Sequence, residues 1–450
     1  MTERCMSCIA LQLLTTMLLA CSSTPTDTNV PSTPNPTPSP TPITIPVPVP
    51  QTAYCIRAGA TGAQDGSNWD NAFPTVPASL ERDAIYYIAD GNYGNLALDD
   101  AGTDWIWLAK ATANDHGADN GWRSEYGDGV ATFSSIDIAA SNYIIEGQTG
   151  GITGTRSGGH GFEVLFDATG VLFLEQVSDI YVRHVLMHSP SLTHRGTAVK
   201  GTQGSVENLV FSYNEVHTFE GPHFHAKGWQ NVVIENNYFG HNNSTPEWHA
   251  EFWSDLGNTN VTFRYNLFED IEGTAVFAGV NAGDSRDWYI YGNVFYHCTY
   301  LLRFFYEQGS SSNKSTASGF RVYNNTIVGP GEGTITIDQG SDNLVQNNLF
   351  YNILEPQGYL VLGGAAAYHY NQFNDCDFRV TSLDATNRQD LTGSPFVSYS
   401  TAGLTSCDLH LREPTTVQGA TLESVYSLDP DGVVRGEDGH WDCGAFEFAP

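Results

Sequence analysis

Basic residues are scarce in this sequence. Lys and Arg number 19 against 50 Asp and Glu, only four of them are lysines (Lys110, Lys200, Lys227, Lys314), and the formal net charge is -31 over 450 residues. That shortage excludes a nucleic-acid backbone as partner, because phosphate binding needs clustered cations. It equally excludes attachment to an anionic bilayer through a basic surface. Beyond the N-terminal stretch Ile9–Ala20, no apolar run approaches the roughly 18 residues of a membrane span. The chain also lacks a P-loop, a GxSxG elbow and a dinucleotide fingerprint. Disorder is excluded from the other side: 40% hydrophobic residues, 12% aromatics and 45 glycines describe a packed, turn-rich, all-β chain. The acidic excess then reads as a solubility device on an extracellular surface.

Residues 1–20 read as a secretory leader. Arg4 precedes the short apolar core, which ends in Leu18-Leu19-Ala20-Cys21-Ser22-Ser23. That run looks like a bacterial lipobox, with Cys21 as the lipidated mature N-terminus. Residues 21–51 form a linker whose prolines recur at nearly every second or third position, giving an extended spacer unable to pack a core. The expected location is the outer membrane or cell surface, anchored through lipid alone. Cys55, Cys298, Cys376, Cys407 and Cys443 remain in an oxidising compartment. One or two disulfides are expected, with Cys376–Cys407 the first candidate pair and at least one thiol left over.

From about Asp179 the chain repeats. The segments DIYVRHVLMH, NLVFSYNEVH, NVVIENNYFGH, NVTFRYNLFED, DWYIYGNVFYH, GFRVYNNTIVG and NLVQNNLFYN each run a β-branched or aromatic strand into an Asn and a further apolar pair. Asn214, Asn237, Asn266, Asn293, Asn325 and Asn348 are separated by 23, 29, 27, 32 and 23 residues. A period in this range signals a solenoid, and alternation with period two excludes helical repeats. A β-propeller would need roughly 40 to 50 residues per repeat. The predicted fold is all-β, a right-handed parallel β-helix over residues 52–450. Chirality sets the hand. Phe239, Phe268, Phe295 and Phe350 should stack as a core ladder. The Asn at each bend is expected to adopt the left-handed conformation and bond its counterpart in the next coil.

The opening YCIRAGATGAQDGSNWDNAF, with Asp65-Gly66-Ser67-Asn68-Trp69 at its centre, and DAIYYIADGNYG after it resemble the start of pectate-lyase-like β-helix proteins, including the alginate lyase and chondroitinase B family. The end, LHLREPTTVQGA then DPDGVVRGEDGHWDCGAFEF, resembles the terminal cap of bacterial surface β-helix proteins. The family carries paired Glu residues, a Lys soon after and an Arg-His-Gly one coil on. Here Glu251 matches one Glu, His249 stands where another is expected, and the next coil reads Thr-Ala-Val-Phe-Ala-Gly. The resemblance therefore implies the fold and the broad class of polysaccharide enzymes.

Such enzymes work on an exposed sheet face, where outward residues of adjacent coils make a groove. Gly221–Gly228 and Trp248–Asp255 hold the densest group of titratable residues. His223 and His249 are 26 residues apart, as are His225 and Glu251, so a constant offset stacks them in pairs. Residues two apart on a strand lie about 7 Å apart, which makes a small grid. Thr274, Val276 and Ala278 would leave the next coil open as a floor. The catalytic candidates are His225, Lys227, His249, Glu251 and Arg303, and the substrate-binding candidates are His223, Trp253, Arg286 and Glu307. In β-elimination on a uronic-acid glycan, His225 or Lys227 would take the C5 proton while Arg303 or Arg286 neutralises the carboxylate. In glycoside hydrolysis, Glu251 would pair with Asp255, Glu247 or Glu307. A transition ion on His223, His225, His249 and Glu251 is a third chemistry, although no metal is assigned. The expectation is a monomeric polysaccharide lyase, with hydrolase and non-catalytic glycan binder as alternatives.

Overall fold

The computed structural model describes residues 50–147, 159–166, 170–193, 195–243, 250–273, 275–280, 283–305, 316–331, 333–381 and 383–449. The leader, Cys21 and nearly all of the linker lie outside the described residues, as do His249 and Glu307. Among those described, helix is confined to three single 3-10 turns, Ser124–Tyr126, Leu404–Ser406 and Ser424–Tyr426.

Every coil contributes up to three short strands, and each pairs in parallel with its counterpart one coil away. The first face includes Val206–Ser212, Gln230–Glu235, Thr259–Arg264 and Asp284–Tyr291, with Leu209, Val232, Val261 and Trp288 in one register row. The second face includes Val185–His188, Glu215–Glu220, Tyr238–Asn243, Leu267–Ile271, Val294–Tyr296 and Thr326–Val328. The third includes Thr197–Gly201, Phe224–Lys227, Trp253–Leu256, Phe277–Val280, Leu302–Phe305 and Ile335–Ile337. The second and third faces part at the long strand Ala131–Ile138, whose first half pairs with Phe162–Leu165 and whose second half pairs with Gly170–Leu174. Alternation puts one side of every strand into a continuous apolar core. Inside it, Phe239, Phe268 and Phe295 stack at 5.3 and 4.6 Å between centroids, and Phe350 continues to Phe373 at 4.7 Å.

The Asn ladder runs along the bend between the first and second faces. Asn214, Asn237, Asn266, Asn293, Asn325 and Asn348 are all fully buried, and the ladder extends further to Asn371 and Asn387. From Asn237 onward each Oδ1 accepts the backbone N–H and the side-chain N–H of the Asn one coil earlier, while Asn214 Oδ1 accepts from Val185 N; each Nδ2 also donates to a strand carbonyl. The left-handed residue is not the ladder Asn, as expected from sequence, but the one before it: Tyr213, Asn236, Tyr265, Asn324 and Asn347 have φ of 48° to 59°. The bend therefore divides the work, with one residue turning the chain and the next satisfying buried backbone groups.

The expected disulfides are absent. Cys55, Cys298, Cys376, Cys407 and Cys443 are all free thiols. Cys376 and Cys407 each point their sulfur at a carbonyl of their own segment, Asn374 and Ser400. Burial pushes the Cys55, Cys298 and Cys376 thiols up to about 12, which keeps them protonated and inert.

The C-terminal segment folds back along the solenoid. Phe396, Leu409, Leu411 and Phe446 cover Val294, Tyr296, Val328 and Tyr351 of the second face. Tyr426 and Trp441 cover Tyr289, Tyr291 and Tyr323 of the first. These apolar contacts involve the first and second faces.

Candidate functional site

Strict alternation builds the third face. Val199, Phe224, Trp253, Phe277, Leu302 and Ile335 form one inward row, each fully buried. The residue after each points outward, and the pairing runs Lys200 to His225, His225 to Ser254, Ser254 to Ala278, Ala278 to Arg303, and Arg303 to Thr336. Neighbours in this row are one strand spacing apart, so Lys200 and His225 are adjacent and Arg303 lies about 14 Å from His225 along the row. Only Ser254 and Ala278 fill that interval, which leaves a shallow floor between an imidazole and a guanidinium. Arg303 lies 5.0 Å over the ring of Tyr300, a contact that holds the cation at the edge of the floor. Lys227 is exposed two residues beyond His225 on the same strand.

This row keeps His225, Lys227 and Arg303 together and corrects the rest of the expected grid. Phe224 pairs with Trp253 and His225 with Ser254, an offset of 29 residues where 26 was expected. An odd slip of three reverses the faces. Trp253 is accordingly a core residue, fully buried against Phe224, Trp229 and Phe263, and offers no ring to a sugar. Glu251 is 3% exposed and sits in the bend before its strand, away from the partner position of His225. Arg286 lies on the first face, opposite Thr259, and pairs with Asp284 at 3.3 Å. Asp255 points inward, so neither it nor Glu251 supplies an outward carboxylate pair. Lys200, which sequence reasoning counted among the rare lysines but did not place, joins His225 through the register of the preceding coil.

His223 belongs to the core as well. It is fully buried within 6.1 Å of the rings of Phe219, Phe239 and Phe252, and neither ring nitrogen has a hydrogen-bond partner. Burial pushes its pKa down to about 3. A base whose folded pKa lies below its ordinary 6.5 contributes its full stability above that value and loses it as pH falls. His223→Phe should therefore raise stability by about 1–2 kcal/mol at neutral pH by removing two unpaired buried nitrogens. The gain over wild type should widen as pH falls through 6.5. Thermal melts across pH check this, and a lower melting temperature for the variant at every pH would mean the imidazole has a role that apolar packing cannot replace.

Among the described residues, no group of three His, Cys, Asp or Glu side chains meets in a way that could hold a metal ion. No curated protein matches the chain. Among solved structures, a pectate lyase, Pel9A, is 14% identical, with 89% of this chain and 97% of that chain covered at a TM-score of 0.44. A PL6 family polysaccharide lyase from Pseudopedobacter saltans is 12% identical, covering 81% and 95% at a TM-score of 0.43. A PL6 family alginate lyase is 13% identical, covering 69% and 51% at a TM-score of 0.34. Residues 169–350 match the family model of the right handed beta helix region, and the parallel pairing of the three faces over the same coils is that of a right-handed parallel β-helix.

Proposed function

We propose that the third face binds an acidic extracellular polysaccharide and cleaves it by β-elimination. The observation that carries this reading is the outward row Lys200, His225, Ser254, Ala278, Arg303. A chain of net charge -31 with only four lysines places two of them, with a His and an Arg, on one face around a floor of small residues. With a uronate ring over Ser254, His225 would meet the C5 proton, and Arg303, about 14 Å along the row, would hold the carboxylate of a neighbouring uronate. Lys227, two residues beyond His225 on the same strand, would offset the charge that develops on the reacting carboxylate as the proton leaves. His225, or Lys200 beside it, would accept the proton, the C4–O bond would break, and a C4=C5 double bond would form. Hydrolysis is less well served, since the outward carboxylates Asp137, beyond Phe173, and Asp338, beyond Thr336, lie at opposite ends of the row.

The test is digestion of alginate, pectate, chondroitin sulfate and neutral glucans by the full chain, read by ultraviolet absorbance of the unsaturated product and by reducing ends. Absorbance should appear on a polyuronate, and Lys200→Ala, His225→Ala and Arg303→Ala should each lower the rate about a hundredfold. Reducing ends without new absorbance would overturn elimination in favour of hydrolysis. Binding without cleavage would make the face a glycan-docking surface.

A further inference from the structure

The second face carries a separate group of titratable residues that the reading above leaves unused. Register puts Glu215 beside Tyr238 and Tyr238 beside Leu267, with His217 beside Gly240 and Gly240 beside Glu269. The C-terminal segment comes back over this corner, where the backbone N–H of Leu404 donates to Glu269 Oε1 at 2.8 Å. The result is a partly enclosed cleft of about 420 Å³, lined by Glu215, His217, Tyr238, His241, Leu267 and Glu269 with Leu404 and Thr405 as its rim. That volume falls in the range of small-molecule sites.

The lining is organised around Tyr238. Its hydroxyl donates to Glu269 Oε2 at 2.9 Å and accepts from His241 Nε2 at 3.2 Å, while His241 Nδ1 lies 3.3 Å from Asp270 Oδ2. The Asp270 contact raises the His241 pKa. The chain of contacts from Asp270 to Leu404 leaves the Tyr238 ring little freedom. Gly240 makes room for it: a Cβ there would fall 2.5 Å from the Tyr238 hydroxyl. His217 faces the same space. Its Nδ1 is bonded to Thr218 Oγ1 at 2.6 Å, and its Nε2 is 3.6 Å from Glu215 Oε1, too far for a hydrogen bond. Burial pushes the His217 pKa down to about 4, so the ring is neutral and its Nε2 edge can meet a hydroxyl.

We propose that this cleft is a second carbohydrate site, for a neutral sugar unit. Leu267, Leu404 and the Tyr238 ring supply apolar surface for the C–H face of a pyranose. Glu215, His217 and Glu269 supply hydroxyl partners at its edge. Three carboxylates close by (Glu215, Glu269, Asp270) make the pocket hostile to a uronate, so its preference is opposite to that of the cationic row on the third face. A chain with both sites would hold a mixed glycan, or two different glycans, at two places on one solenoid.

The proposal is tested by isothermal titration of the full chain with neutral gluco-, manno-, xylo- and galacto-tetraoses, and with tetragalacturonate as the anionic counterpart. At least one neutral tetraose should bind and resist displacement by tetragalacturonate. Tyr238→Phe, which deletes the shared hydroxyl, and Gly240→Ala, which displaces the ring, should each weaken that binding about tenfold. Failure of all four neutral tetraoses to bind would overturn the proposal. So would displacement of the neutral sugar by tetragalacturonate, or wild-type affinity in both variants. None of these outcomes bears on cleavage at the third face, which the digestion panel reads separately.

Discussion

Replacing Asn266 by Leu should cost about 4 kcal/mol, measured as the shift of the urea unfolding midpoint of the full chain. The two side chains have the same number and branching of heavy atoms, with Leu the bulkier, so no cavity is opened and the effect is mainly one of hydrogen bonding. Asn266 Oδ1 accepts from Asn237 N and Asn237 Nδ2, each at 3.0 Å, and Asn266 Nδ2 donates to Ile234 O at 2.9 Å and Asn293 Oδ1 at 3.0 Å. Asn237 Nδ2 keeps Phe211 O, and Asn293 Oδ1 keeps the backbone N–H of residue 266. The substitution therefore orphans the N–H of Asn237, takes a donor from the Ile234 carbonyl, which keeps its place in the ladder with Thr259–Arg264, and removes both side-chain bonds to the neighbouring Asn residues. Each buried, unpaired backbone group costs roughly 1–3 kcal/mol, and a Leu branch at a tight bend adds strain. Coils touch only their neighbours, so hydrogen-exchange protection should fall in the coils of Asn237 and Asn293 before it falls at either end. A loss below about 1 kcal/mol would mean that water enters the bend and replaces the amide.

The same ladder explains what was legible in the sequence. The fold could be read because each coil repeats one demand: a buried Asn at the bend, an apolar pair after it, and period-two alternation on either side. The placement of candidate residues could not be read from a constant offset, because the loops between the second and third faces vary in length. Thirteen residues separate Phe224 from Asn237, and thirteen separate Trp253 from Asn266. Ten separate Asn214 from Phe224, but sixteen separate Asn237 from Trp253. In these two coils the insertion lies before the strand, so both strands keep register with the Asn that follows. Counting forward to that Asn would have paired His225 with Ser254 and sent Trp253 into the core, but Lys200, fourteen residues before Asn214 where His225 is twelve before Asn237, would still have been missed. The offset of 26 instead aligned His-x-His with His-x-Glu by residue type.

The second-face cleft was missed for a related reason. His188, His217, His241, Asp270 and His297 close five successive repeat segments, a periodic signal as plain as that of the Asn. Two of these positions, His188 and His217, face each other at 5.4 Å between ring centroids. Because each closes a strand whose apolar residues the repeat needs, these residues read as scaffold. What separates them from scaffold is the return of the C-terminal segment over Glu269, a contact spanning 135 residues that no local pattern announces.

Asp255→Ala should be the most pH-dependent of the variants. Asp255 lies inside the third face, 2% exposed, with its carboxylate accepting from Trp253 Nε1 at 3.4 Å, Gly257 N at 3.2 Å, Asn258 Nδ2 and Ser285 Oγ. Four donors favour the ionised form and burial opposes it. Burial wins, and the pKa is pushed up from 3.8 to about 6. An acid whose folded pKa lies above its unfolded value contributes most at low pH and loses that contribution as pH rises through the folded value. Two pKa units correspond to about 3 kcal/mol. Truncation should cost about 3–5 kcal/mol near pH 4, where it removes a matched buried carboxyl and leaves the donors facing a void. The cost should shrink by up to about 3 kcal/mol by pH 8, where wild type must hold a buried charge. Paired denaturation curves at the two pH values decide the balance. A cost that grows with pH would show that the four donors outweigh desolvation and that the carboxyl titrates below its ordinary value, in which case Asp255 is the anchor of the third-face corner at every physiological pH.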